Sequence, residues 1–268
     1  MRKRKFSISN VLTTIILVVI LLSILLVIPV SLSASTYITF PITQFSSQWY
    51  QDLFSDPEWA FAFQNSIIII IAICTTILSL LFGIMISLGL RELSNKIQTI
   101  FYEYFRLPQS VPIIVTAISM YALLSRLHLN GTCLGLIICH TMLATPFVVS
   151  ALMAGLSKIG DQYEMAARNL GAGRLQAFKD IVLPMLMPSI GSAALFAFMT
   201  SFDEIAITLF VVDPSVMTIP MKMYNGINQQ IRPTLAALSA LIIVVVALGF
   251  IIYGCIQLYI DKKSERRI

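Results

Sequence analysis

The chain has 268 residues, of which 57% are hydrophobic and 12% charged, with a mean hydropathy of +0.87. Those values exclude a soluble globular domain and mark a polytopic, all-α membrane protein; no ten-residue segments alternate with period two, so a transmembrane barrel is excluded as well. The net charge of +5 is explained by the loop asymmetry below and calls for no nucleic acid partner.

Apolar runs of about 18 residues or more occur at 11–32, 67–90, 107–124, 133–156, 185–212 and 235–260, which predicts six spans in one membrane domain. The first follows Arg2-Lys3-Arg4-Lys5, a topology signal and a contact for anionic lipid. Its apolar length exceeds the about 7–15 residues of a secretory h-region, so an uncleaved helix is expected. The segment after it is rich in aromatics, including Trp49, Tyr50 and Trp59, suited to the membrane interface. Asp56-Pro57 there is a helix start, with Asp56 as cap. After the second span, 91–106 places Ile97, Ile100, Phe101, Tyr104 and Phe105 at helical spacing, an amphipathic connector. The third span is short and punctuated by Pro108 and Pro112; Asn130-Gly131 beyond it is a tight turn. Fifteen of the eighteen Lys and Arg fall on the side of the termini, leaving only Arg126, Lys222 and Arg232 opposite, so both termini are expected in the cytoplasm. Cys74, Cys133, Cys139 and Cys255 lack ligand spacing and read as small hydrophobes, and His140 and His128 stand without metal partners.

Between the fourth and fifth spans, residues 157–184 carry Lys158, Asp161, Glu164, Arg168, Arg174, Lys179 and Asp180. Charges at that density are too costly for the bilayer, so the stretch is a polar elbow between membrane helices. Ala166 and Ala167 leave a helix face without bulk, Gly171 can take a positive φ that ends one short helix and aims the next, and Pro184 stands at the threshold of the fifth span. The chain has no GxxxxGK[ST] loop for ATP and no HExxH or GxSxG signature, so no catalytic site of its own is expected.

The spacing Ala166-Ala167, Gly171, Ile181-x-Leu183-Pro184 resembles the signature of the permease subunits of binding-protein-dependent ABC importers. The resemblance implies that 157–184 is the coupling loop seated in an ATP-hydrolysing subunit, with Glu164, Ala166, Ala167, Gly171, Ile181, Leu183 and Pro184 making or shaping the contact. One position departs: the family has Glu immediately before the two alanines, where this chain has Met165, with Glu164 one residue earlier. The segments at 49–66, FxTSFDE around Asp203, IPMKMYNGI and IRPTLAALSAL resemble a narrower branch, the second permease of spermidine/putrescine-type importers. That implies a bacterial inner-membrane location and a heterodimer with a sister permease. It also implies two copies of an ATPase subunit holding ATP-Mg and an extracytoplasmic binding protein, with no cofactor on this chain.

Asp203 and Glu204 interrupt the fifth apolar run, and an acidic residue at midspan costs about 2.5–3.5 kcal/mol without compensation. Asp203 lies about 22 Å along an ideal helix from Pro188, in the outer half of the span. Two readings stand at this point. Either one of the carboxylates, with Ser201 beside it, faces a translocation path for a small cation, or the pair caps a helix or meets the sister subunit. A rival outside the importer class is a self-sufficient secondary carrier or channel using the same carboxylates for ion coupling; within the class, polyamine is the first substrate expected, with amino-acid-like compounds, phosphonates and ferric ion as alternatives.

Overall fold

The computed structural model describes residues 8–37, 40–57, 59, 67–160, 162–212, 219–229 and 233–265. The described residues are helical throughout except for loops and one isolated bridge pairing Ser33 with Phe45. They form two compact units, residues 62–222 and a second unit made of 1–61 with 223–268.

In the second unit, α1 (Ile8–Leu25) and α2 (Val27–Ser31) lead to a loop and α3 (Gln48–Ser55). Residues 11–25 are exposed on every side, as an all-apolar helix in lipid would be. The aromatics expected at the interface are instead partly structural. Trp49 is buried and its Nε1 donates to the Ser33 carbonyl at 2.7 Å, the Tyr50 hydroxyl is 2.7 Å from Ser31 Oγ, and Trp59 is buried too. Asp56 is the C-cap of α3; residues 60–66, into which the expected helix would run, lie outside the described residues.

The unit at 62–222 holds the functional elements. Helix α4 (Ile67–Arg91) ends with Arg91 in its last turn, where a cation complements the helix dipole. Helix α5 (Asn95–Ser110) is the amphipathic connector, with Ile97, Ile100, Phe101 and Tyr104 exposed. It takes in Leu107–Ser110, residues that the apolar count assigned to the third span. Val111 is extended before Pro112, as a residue preceding proline tends to be, and α6 (Ile113–Arg126) leaves at 96° to α5. Helix α7 (Cys133–Ile159) starts where Thr132 Oγ1 accepts from the Gly135 N–H at 3.0 Å. The expected Asn-Gly turn precedes it: Gly131 has φ +75° and donates its N–H to the Val211 carbonyl.

The elbow is made of α8 (Gln162–Asn169) and α9 (Arg174–Ala177), which passes through a π turn at Phe178–Val182 into α10 (Leu183–Phe202). A break at 203–205 leads to α11 (Ala206–Val211). The apolar run at 185–212 is therefore two helices. Helices α4, α7 and α10 pack on one another around Val148, Leu152, Leu156, Leu186, Ala193 and Ala197. Small residues allow that approach, as usual between membrane helices: a Cβ on Gly83 would strike Val148, and one on Gly155 would lie 2.7 Å from Ser189 Cβ and 2.9 Å from Leu186 Cδ1. A second cluster joins α11 to α6 and α7 through Ile207, Val211, Met120, Leu124 and Cys139.

The last helices are α12 (Ile219–Gln229) and α13 (Pro233–Glu265), the latter packed on α2 and α3. Among the described residues four helices are long and apolar enough to cross a membrane, five if the bent α5–α6 pair counts as one span, and α13 adds a shorter apolar stretch, Pro233–Leu248.

Candidate functional site: the elbow and the acidic break

The elbow is built by local hydrogen bonding. At the end of α8 the Ala172 N–H reaches back to the Ala167 carbonyl at 3.1 Å and the Gly171 N–H to the Arg168 carbonyl at 3.0 Å. That crossed pair is a Schellman closure, and Gly171, at its left-handed position, has φ +94°. Nothing lies within 4 Å of where its Cβ would be, so glycine is needed there for backbone conformation and not for space. The closure turns the chain outward, leaving Leu170 91% and Leu175 80% exposed. Met165 and Tyr163 are exposed beside them. Ala166 is exposed and Ala167 half-buried on the same short helix.

Ile181 and Leu183 are half-buried and Pro184 is exposed in the first turn of α10. Pro184 does not end a helix, because the π turn runs into α10 without interruption, giving one apolar rod from Arg174 to Phe202. The wider turn precedes Pro184, whose ring would otherwise crowd the carbonyl four residues back. Val182, fully buried, and Leu186 seat this rod on α7.

Glu164 does not project into solvent. Its Oε2 lies 3.2 Å from Arg91 Nη1, with both side chains mostly shielded, and the next residue of α4's terminus, Glu92, pairs with Arg174 at the start of α9. Sequence reasoning missed Arg91, Glu92, Leu170 and Leu175. The ion pairs span more than seventy residues and leave no periodic trace, whereas the two leucines flanking Gly171-Ala172-Gly173 were legible as apolar residues in a polar loop.

At the other end of α10 the three path candidates separate. Ser201 is fully buried, its Oγ 2.8 Å from Nδ1 of the equally buried His140 on α7. Asp203 is the exposed C-cap of α10. Glu204 is half-buried; its Oε1 accepts the Ile207 N–H at 2.9 Å, and its carbonyl accepts from Thr208 Oγ1 at 2.7 Å. The Glu204 carboxylate is thus held on the first turn of α11, just before its N-cap residue Ile205, whereas the Asp203 side chain is exposed. A separate crevice of about 980 Å³ between α4, α5, α6 and α7 is lined by Phe82, Met120, Met142 and Val149 and has no carboxylate. Among the described residues no group of three or more His, Cys, Asp or Glu is arranged to hold a metal.

Residues 79–266 match the model of a protein family described as binding-protein-dependent transport system inner membrane component. The putrescine transport system permease protein PotI of Escherichia coli K12 is 29% identical over 233 residues, covering 83% of this chain and 79% of that protein. The putative 2-aminoethylphosphonate transport system permease protein PhnV of Salmonella typhimurium is 28% identical over 184 residues, 68% of each chain. The spermidine/putrescine transport system permease protein PotC of Escherichia coli K12 is 25% identical over 200 residues, 75% of each. The family match takes in the elbow, the rod from Arg174 to Phe202 and the acidic break, and the chain belongs to that family, the inner-membrane permease components of binding-protein-dependent ABC importers.

Proposed function

We propose that this chain forms half of a translocation path that opens alternately to the two sides of the membrane, driven by ATP-Mg bound in separate subunits. Both termini and the elbow lie in the cytoplasm; a sister permease completes the path, two ATPase copies receive the elbows, and an extracytoplasmic binding protein delivers substrate. The observation that carries this reading is the elbow itself: Leu170 and Leu175 stand exposed on either side of Gly171-Ala172-Gly173, where a Schellman-closed turn leads into continuous helix as far as Phe202. Exposed leucines in a polar loop fit a partner's groove, and a continuous helix transmits displacement of its end across the membrane.

The substrate we assign is a polyamine or a similar small cation. Putrescine and 2-aminoethylphosphonate, named in the relatives above, share a primary ammonium on a short aliphatic chain, and Asp203 is an exposed carboxylate at the far end of the rod.

The test is Gly171→Val in the complex reconstituted with its ATPase, sister permease and binding protein. A β-branched residue at φ +94° costs at least about 1–2 kcal/mol and reopens the turn. Uptake of putrescine and the stimulation of ATP hydrolysis by loaded binding protein should both collapse while membrane insertion persists. Native uptake in the variant rejects the docking role, and uptake into liposomes without nucleotide moves the protein to the secondary-carrier class. Supplying spermidine or 2-aminoethylphosphonate in place of putrescine ranks the substrates.

A further inference from the structure

Three structural segments meet at the elbow, and two of them are joined to it by the chain: α7 through Gly160 and α10 through the π turn. Helix α4 has no such link. Its terminus faces the elbow across a cleft of about 560 Å³ lined by Leu88, Gly89, Leu175 and Phe178 together with Arg91, Glu92, Glu164 and Arg174. Leu88 and Phe178 pack against the same buried cluster below the cleft, and at its mouth α4's terminus meets the elbow through charged groups. The two bridges run from Arg91, the last residue of α4, and Glu92, the residue after it, to the two arms of the elbow, Arg91 to Glu164 on α8 and Glu92 to Arg174 on α9. Their signs alternate. Exchanging the arms would set Arg91 against Arg174 and Glu92 against Glu164, so one register attracts and the other repels. The inner bridge is shielded, its side chains 15% and 19% exposed, while the outer one is open to solvent.

We propose that Arg91–Glu164 and Glu92–Arg174 form a charge-alternating brace that locks the elbow to α4 and carries the elbow's movement into that helix. Glu164 therefore acts inside this chain as a positioning residue, leaving Leu170 and Leu175 as the groups that meet the ATPase. The proposal rests on the coupling role assigned above and adds a second route for displacement besides the rod of α10. It also accounts for Met165: with the acid one position earlier, at Glu164, the carboxylate turns toward α4.

The experiment uses the full complex with ATPase, sister permease and binding protein in nanodiscs. Spin labels are placed at Met85 on α4 and Ile118 on α6, both exposed, so that α4 is followed against a helix the brace does not touch. Their separation is read by pulsed EPR without nucleotide and with vanadate-trapped Mg-ATP. Glu92→Arg and Arg174→Glu, each alone, should abolish the nucleotide-driven change in separation while the subunits still co-purify, and Arg174→Lys should keep it. The double exchange Glu92→Arg with Arg174→Glu should restore it. A native-sized change in either single variant overturns the brace, and so does a double exchange that fails to restore it. If the unaltered chain does not retain the ATPase subunit at all, the coupling role itself falls, a result read before any variant is compared.

Discussion

Asp203 and Glu204 are adjacent, yet the backbone gives them separate tasks. Glu204 holds the first turn of α11 through the Ile207 N–H, and Asp203 closes α10 with its side chain exposed. Glu204→Gln keeps an oxygen where Oε1 accepts, so the thermal stability of the purified complex should be unchanged. Glu204→Ala removes the cap and should cost about 1 kcal/mol, read as a lowered Tm. Asp203→Asn should leave Tm alone and slow putrescine uptake. If Asp203→Asn and Glu204→Gln both transport with native kinetics, no carboxylate here guides a cation. Two neighbouring acids in an apolar run were visible in the sequence, but not which of them was the cap, because that depends on a break in the helix three residues long. Ser201 and His140 were still less legible. Each looks unremarkable alone, and their hydrogen bond joins positions 61 residues apart.

At the scale of elements, hydrophobic counting found the helices and misplaced some of their ends. Apolar content does not distinguish Leu107 on the connector from Ile113 on the following helix; the proline at 112 does, by forcing Val111 out of helical conformation. In the same way the run at 185–212 hides a break, and the polar elbow hides the start of a helix whose first turns are charged. Packing of α4, α7 and α10 is set by small residues whose partners the sequence does not name. Gly155 is the tightest test, since a side chain there meets Ser189 and Leu186 of α10. Gly155→Val should overpack this contact by about 1–3 kcal/mol, separating α10 from α7 and lowering the yield of folded protein in detergent. Gly89→Ala, where nothing lies within 4 Å of the added carbon, should have no such effect.

For the whole molecule, the elbow was legible because its chemistry is local: two alanines, a glycine with positive φ and a six-residue closure all fall within one short segment. Its attachment to α4 was not, because ion pairs between distant residues have no spacing rule. What the molecule does with the elbow depends on which side of the membrane it occupies, and the function proposed above, resting on charge bias, has it in the cytoplasm with the termini. Leu170 is the natural reporter, being 91% exposed at the tip. In a background with Cys74, Cys133, Cys139 and Cys255 replaced by alanine or serine, Leu170→Cys should react with a membrane-impermeant maleimide in inside-out vesicles and not in right-side-out vesicles or intact cells. Adding the ATPase subunit should then protect the thiol, since a leucine-sized knob seated in a groove is removed from water. Labelling from the outer face would invert the topology and leave the elbow beyond the reach of any ATP-hydrolysing partner, whereas labelling from the inner face without protection would place the contact elsewhere on the loop.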